Sequence, residues 1–506
     1  MKKEYVVILK KGVNKSLFHR ETINGKNPHT NHLETIQTAN SRNLSDRCIH
    51  YFISQTQAQY LLKDSRVQSV EPKISKKPFH CALQDSDFTK TTLSSGNFVN
   101  WGLRRCIDET NQYTGSSITG GYRYTLTGEG VDIVISDTGI QPDHPEFQDE
   151  NGNSRVQQID WYEEAGVSGS QPVDYYTDLD GRGTGVAAVA AGKTYGWAKK
   201  AKIYSKKISF SPGDGGDDIS EHFDVIRAWH NNKPVDPKTG YKRPTIVNIS
   251  WAYADFPWSS ATESIIGGNY RGTDWTDTVK QPQFGMTGGF HGRRFASIDI
   301  DIEELINAGV HVVRAAPNNS IKADVEGGVD YDNYYTVYDS EQETNVDIYY
   351  HRGASPMTDD CVIVGGVDTE LNGIEEQIYA GSDRGPGVDV YSPARNIFSA
   401  ISNSSSRTGK FTYPFSFNST YQSRRWTGNS FASPQVTGIL SFYLELNKNG
   451  YIDRAKNWLN SQASDNQLYD TISNDDYSDT RSLLGGNNRF SYNPFNSVYR
   501  IVIQSG

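Results

Sequence analysis

Between Val131 and Leu446 the chain keeps placing a short apolar run ahead of a longer stretch with helical character, and that alternation limits the folds open to it. Val131-Asp132-Ile133-Val134-Ile135, Thr245-Ile246-Val247-Asn248-Ile249, Val310-His311-Val312-Val313 and Val362 to Val367 are rich in β-branched side chains. Runs of that kind predict strands buried on both faces. Ile300 to Ala308 and Ser430 to Leu446 read as helices, the second largely apolar. Short strands alternating with helices predict an α/β fold with a parallel central sheet covered on both sides. In such sheets the reactive groups collect at the carboxyl ends of the strands.

Around this core the 506 residues divide unevenly. Residues 1–73 predict a small α/β unit, with strands at Tyr5 to Leu9, Ile49 to Ile53 and Val67 to Pro72, and a helix over Thr56 to Lys63. Residues 74–99 are polar and aperiodic, a linker. The main domain spans 100–465. Within it, about 253–293 is rich in Gly, Trp and Thr without a clear period and reads as a surface insertion. Residues 466–506 read as a C-terminal extension ending in a strand, Tyr499 to Ile503.

The net charge of −10 leaves no excess of Lys and Arg for phosphates, which disfavours a nucleic-acid partner. Cys48, Cys81, Cys106 and Cys361 lie far apart, without metal-ligand spacing or a disulfide framework. The first apolar run, Tyr5 to Leu9, is closed by Lys10-Lys11 and is too short for a secretory signal. No run reaches the roughly 20 apolar residues of a membrane span. Cytoplasmic synthesis and no membrane partner are therefore expected.

Three segments carry chemistry. Ile133-Val134-Ile135-Ser136-Asp137-Thr138-Gly139-Ile140 is followed by His144-Pro145, Val312-Val313-Arg314-Ala315-Ala316-Pro317-Asn318-Asn319 comes next, and Thr427-Gly428-Asn429-Ser430-Phe431-Ala432-Ser433-Pro434 closes the set. Their order and their places at strand ends and a helix start resemble the subtilisin-like serine proteases. The likeness extends to residues 1–72, which resemble the inhibitor-type pro-domain of that family, and to Asn248-Ile249-Ser250-Trp251-Ala252, which resembles its substrate-binding strand with Ala252 in place of a glycine. The resemblance implies the three-layer subtilisin-like fold, with Ser430 as nucleophile at the first turn of a helix, Asn318 as oxyanion donor, Asp137 as the residue that orients the base, and Ser250, Trp251 and Ala252 against the peptide.

The fourth segment departs from the family. Where subtilases carry His-Gly-Thr-His-Val-Ala-Gly, with the first histidine as general base, this chain has Arg182-Gly183-Thr184-Gly185-Val186-Ala187-Ala188. Arginine stays protonated and offers no lone pair for a serine proton. A bidentate ion pair between Arg182 and Asp137 is expected in place of a catalytic contact. Six histidines of the main domain remain as substitutes for the base: His144, His222, His230, His291, His311 and His351. His144 and His311 read as structural.

The expected function is a subtilisin-like protein that is proteolytically silent, a pseudoprotease with a binding or structural role towards protein or peptide partners. Its unit 1–73 is expected to stay docked in cis. A multi-protein assembly is the expected setting, a tailed-phage virion being one candidate. The alternative is an active serine endopeptidase whose base comes from elsewhere in the chain or from a partner. No cofactor is assigned. Calcium is the ion the resemblance implies, but no ligand set is assigned, because Asp178-Leu179-Asp180 and Asp214 to Asp218 read as solvated loops.

Overall fold

The computed structural model describes residues 2–496, apart from 41–44, 73–81, 85–87, 89, 91–98, 114–117, 119, 173, 209–215, 218, 256–264, 277–283, 287–289, 340–343, 408, 410, 449–451 and 472–476. The chain divides into two compact units, Met1–His80 and Cys81–Gly506. Among the described residues no helix is long and apolar enough to cross a membrane.

In the first unit, β1 (Lys3–Leu9), α1 (Lys15–Ile23), β2 (Gln37–Asn40), β3 (Cys48–Ile53), α2 (Gln55–Leu61) and β4 (Val67–Pro72) form a four-stranded antiparallel sheet in the order β2-β3-β1-β4 with two helices. Alternation puts Val7 and Leu9 of β1 and Ile49, Tyr51 and Ile53 of β3 into one core with Phe18, Ala58 and Leu61. Ser54 starts α2 with a capping box: its hydroxyl accepts from Gln57 N, and the Gln57 side chain accepts from Ser54 N. The sequence shows no clear period for α1, whose buried residues are Phe18 and Thr22.

The second unit is built on a central sheet. Its main elements are β5 (Asp132–Asp137), α3 (Arg182–Ala191), β6 (Lys202–Lys207), α4 (Ile219–Asn232), β7 (Thr245–Ile249), α5 (Ala296–Asn307), β8 (His311–Ala315), β9 (Val362–Asn372), β10 (Val390–Pro393), α6 (Ser433–Leu446) and β11 (Arg489–Phe490). The strands run β11-β10-β9-β8-β7-β5-β6, all parallel, with Val156–Gln157 beyond β6 and Ser464–Asp465 antiparallel beyond β11. One helix group packs α3 against α6; another packs α4 against α5. All residues of β5, β7 and β8 are buried, as the apolar runs predict.

The strand order fixes where a site belongs. From β5 the chain moves outward on one side to β6, then returns to the other side of β5 with β7 and continues away through β8, β9 and β10. The direction reverses between β5 and β7, and a crevice opens beyond the carboxyl ends of strands at such a point. Asp137 ends β5, Ser250 follows β7, and Asn318 lies three residues past Ala315, the end of β8.

Two regions differ from the sequence reading. The insertion is ordered in part: Ile265–Tyr270 and Thr273–Trp275 join Tyr334–Asp339 and Thr344–Tyr349 in a four-stranded antiparallel sheet. That sheet has its own core of Ile265, Met286, Tyr335, Val337, Ile348 and Tyr350. The residues after 465, read as an extension, bury Leu468, Leu483, Leu484 and Phe490, and β11 closes one end of the parallel sheet on β10. Phe490 also lies under the Arg105 guanidinium, 4.1 Å from the ring centre, where Arg105 forks onto Glu376 at 2.7 and 2.6 Å. The strand expected at Tyr499 to Ile503 lies outside the described residues.

Candidate active site

Asp137 is fully buried at the end of β5, and its Oδ1 accepts from Thr138 N at 2.8 Å. Arg182 opens α3 directly after Gly181, which takes φ +89°, a conformation suited to glycine. The helix comes this close because Gly183 has no side chain; a Cβ there would sit 2.1 Å from Gly139 O. Arg182 Nε then donates to Asp137 Oδ1 at 2.9 Å, with about a quarter of the arginine side chain, 24%, exposed. The expected bidentate fork is not formed: one hydrogen bond links the pair, and Asp137 Oδ2 has no hydrogen-bond partner among the described residues. Burial pushes on the charge of Arg182, but the Asp137 carboxylate outweighs it and holds the guanidinium above its ordinary pKa. Arg182 is a fixed cation.

The loop before α3 explains this placement and corrects the reading of Asp178 as solvated. Asp178 is fully buried and accepts four hydrogen bonds: Thr138 Oγ1 at 2.8 Å, Gly181 N at 2.7 Å, Thr184 N at 2.8 Å and Thr184 Oγ1 at 2.6 Å. It ties the turn after β5 to the first turn of α3. Asp180 accepts from Arg182 N at 3.2 Å and takes a two-pronged contact from Arg407 at 2.9 Å in each arm. Asp217 is likewise buried, paired with Lys206 and hydrogen-bonded to Tyr175 Oη; Asp214 and Asp218 lie outside the described residues. Among the described residues no three His, Cys, Asp or Glu side chains are grouped so as to hold a metal ion.

Ser430 sits in a separate 3-10 turn, Asn429–Phe431, rather than in the first turn of α6, which starts at Ser433 with Pro434 in its opening turn. The break follows from Pro434, whose ring favours the start of a helix over its interior. Ser430 Oγ donates to the Ser250 carbonyl at 2.9 Å, and Ser250 Oγ donates to the Ser430 carbonyl at 3.0 Å. A carbonyl oxygen holds a hydroxyl hydrogen but does not remove it.

Asn318 is exposed, and its Oδ1 accepts from Asn429 N at 2.9 Å. A backbone N–H can only donate, which fixes the amide orientation and leaves Nδ2 as the outward donor. Nδ2 has no hydrogen-bond partner among the described residues. Two residues that sequence reasoning missed hold this loop. Asn429 Nδ2 donates to Ala316 O at 2.9 Å and Pro317 O at 3.0 Å; Asp383 Oδ1 accepts from Asn319 N at 3.0 Å and Ile321 N at 3.1 Å. Burial pushes the Asp383 carboxyl up to about 7.

Ser250, Trp251 and Ala252 lie beyond the end of β7 rather than in a strand. Ser250 and Trp251 face inward: the Trp251 indole donates to Ser136 O and Oγ, both at 3.1 Å, and stacks on Phe223. Ala252 is half-buried. Tyr253, next along, already pairs its backbone with Ser355 O at 2.9 Å and Arg293 N at 3.1 Å.

The six histidines are employed elsewhere. His144 is buried between Gln422 O and Glu146 N, and burial pushes it down to about 4. His222 Nε2 meets Ser136 Oγ at 2.8 Å, and His230 Nδ1 meets Thr245 Oγ1 at 2.9 Å. His291 packs against Tyr335 and Tyr350, His311 is buried in β8, and His351 bonds Asn333 and Asp330 O. Among the described residues Ser430 Oγ makes one hydrogen bond, to a carbonyl, and no imidazole bonds it.

The sequence model of the subtilase family matches residues 128–483. A cuticle-degrading serine protease of Arthrobotrys oligospora is 23% identical over 456 residues, 88% of this chain and 82% of that protein. A subtilisin-like serine protease of Penicillium citrinum is 25% identical over 348 residues, 68% of this chain and 55% of that protein. Among solved structures, a cold-adapted subtilisin-like serine proteinase aligns with TM-score 0.47 and 20% identity over 78% of this chain and 98% of its own. On the family match over the greater part of its length, the chain belongs to the subtilase family of serine proteases.

Proposed function

We propose that this subtilase is proteolytically silent and serves as a binding or structural component of a larger assembly. One observation carries the reading: Arg182 stands on Asp137 at 2.9 Å while the Ser430 hydroxyl rests on a carbonyl. Losing the general base costs a serine hydrolase about 10⁶ in turnover, roughly 8 kcal/mol of barrier. A permanently charged guanidinium does not replace that base. A phage particle is one assembly this reading accommodates, and unit 1–73 would remain attached as a permanent domain, because its release by self-cleavage needs the missing base.

The rival reading, an active endopeptidase with a borrowed base, is favoured by the protease names of the relatives and by the retained Ser430 and Asn318. Intact-mass measurement of purified protein, combined with hydrolysis assays on casein, separates the two. Silence predicts a full-length chain and no peptide products. A main species beginning near residue 100, or product formation that Ser430→Ala abolishes, would establish the rival.

A further inference from the structure

A surface cavity of about 690 Å³ lies on the inserted sheet, and none of Asp137, Arg182, Asn318 or Ser430 lines it. Its size suits a small ligand. Strand register builds its wall. Asp274 pairs with Asn269, Asn269 with Tyr334, and Tyr334 with Tyr349, so these four side chains form one transverse row on the same face. The next row, Gly268, Tyr335 and Ile348, takes the opposite face, where Tyr335 and Ile348 are buried in the core of the sheet. With strands roughly 4.8 Å apart, the outward row runs about 14 Å. The turn at its end is held in place. Arg271 takes φ +49° and Gly272 φ +80°, a left-handed pair that is costly for the arginine. Asn333 Oδ1 accepts from Arg271 N at 2.7 Å, and the buried Asp330 accepts from Arg271 Nε at 2.6 Å and Nη2 at 2.9 Å. Backbone strain held by such contacts clusters at ligand clamps.

The charges around the cavity cancel. Arg271 and Lys322 are matched by Asp330 and Asp324. Arg352 donates to Asp332 at 2.5 Å and lies 3.6 Å from the centre of the Tyr349 ring. A phosphate or sulfate therefore meets cations that already have carboxylate partners. An extended peptide finds no open ladder at Tyr334, because Tyr334–Asp339 is hydrogen-bonded on both edges. What the cavity offers is neutral and polar. Asn269 Nδ2 spends one N–H on Asp274 Oδ1 at 2.7 Å and keeps the second. Asp332 is exposed and keeps one oxygen outside its pair with Arg352, and the Tyr334 and Tyr349 hydroxyls have no hydrogen-bond partner among the described residues. Arg352 covers one face of Tyr349, so Tyr334, half-buried beside it, is the ring a ligand would meet. From this we infer that the inserted sheet carries a binding site for a neutral saccharide. Hydroxyls on neighbouring sugar carbons match closely spaced amide, carboxylate and phenol groups, and the C–H face of a sugar ring matches the face of a tyrosine. The site stands whether or not Ser430 acts as a nucleophile.

The test applies the full-length chain to an array of neutral hexasaccharides built from glucose, mannose, galactose, xylose and N-acetylglucosamine. Heparin, polygalacturonate and a library of acetylated hexapeptide amides are the competing probes, and every hit is titrated by calorimetry. The expected result is saturable binding to at least one neutral hexasaccharide, changing less than twofold between low and high salt because no ion pair is exchanged. Tyr334→Ala is expected to weaken that binding at least tenfold and Asp332→Ala at least fivefold. Asp332 is exposed, so its variant decides alone should Tyr334→Ala not fold. Absence of binding to every neutral hexasaccharide, tighter binding to heparin, polygalacturonate or the peptides, or neutral binding untouched by both variants overturns the inference.

Discussion

The two halves of the cleft have diverged in different ways. On the Ser430 side, Asn429 and Asp383 hold the loop of Asn318, whose amide oxygen accepts from the residue before Ser430. On the Asp137 side, the scaffold is equally precise, with four hydrogen bonds on Asp178 placing the start of α3, yet what it positions is a cation that takes no proton. One half presents a hydroxyl and an amide donor; the other holds a buried carboxylate paired with a guanidinium. The small-residue helix that carries position 182 is set by close packing, Gly183 on Gly139 and Gly185 on Trp426, rather than by the side chain at 182.

The largest effect should come from Arg182→His. If the Ser430 side is intact, peptide hydrolysis should rise by at least 10³-fold over the parent and vanish again in the Arg182→His, Ser430→Ala double variant. No gain would mean that the Ser430 side has diverged as well. Gly185 sharpens this, since a Cβ there would lie 2.9 Å from Trp426 Nε1, so the indole must shift for a second histidine at that position but not for one at 182.

Acid should separate the halves next. His144 and His351 are pushed down to about 4 and His230 to about 3, chiefly by burial. Their folded pKa values lie below the unfolded value near 6.5, so the unfolded chain binds more protons between those limits. Stability from these groups is full above pH 6.5 and falls on acidification towards 4, by about 2 kcal/mol apiece at pH 5. Asp383 acts in the opposite sense: with its folded value near 7 above the unfolded one, acidification from pH 7 favours the fold. Burial raises the carboxyls of Asp137, Glu146 and Asp178 as well, so the histidine contribution is read by difference: urea unfolding should show a smaller loss between pH 7.5 and 5 in His351→Gln than in the parent.

Asp178→Ala should cost about 3 kcal/mol by removing a buried carboxylate that satisfies Thr138, Gly181 and Thr184, again read by urea unfolding. Arg407→Ala, at the exposed Asp180 pair, should change stability by no more than about 0.5 kcal/mol. A large loss there would move the anchor of α3 from the buried Asp178 to the surface pair.

Much of this was legible in the sequence. The wholly buried strands, the small-residue helix from Arg182 and the residues at the strand ends were, because each answers to a local pattern. The Asp137–Arg182 contact was foreseen, though as a fork. Asp178 and Asp217 were not, since a carboxylate in a buried cradle has the same sequence signature as one in water and only the fold brings the donors to it. The inserted sheet was hidden because Ile265–Tyr270 pairs with Tyr334–Asp339 across a long separation and Gly267-Gly268 interrupts the alternation. The β11 edge is two residues long, too short to carry a period.

A single proton decides the account: whether the Ser430 hydroxyl can lose it. Reaction of the purified chain with a fluorophosphonate probe, followed by peptide mapping, reads that directly. The account predicts no adduct on Ser430 under conditions that label an active serine hydrolase to completion. Stoichiometric labelling of Ser430 in the unaltered protein would contradict it.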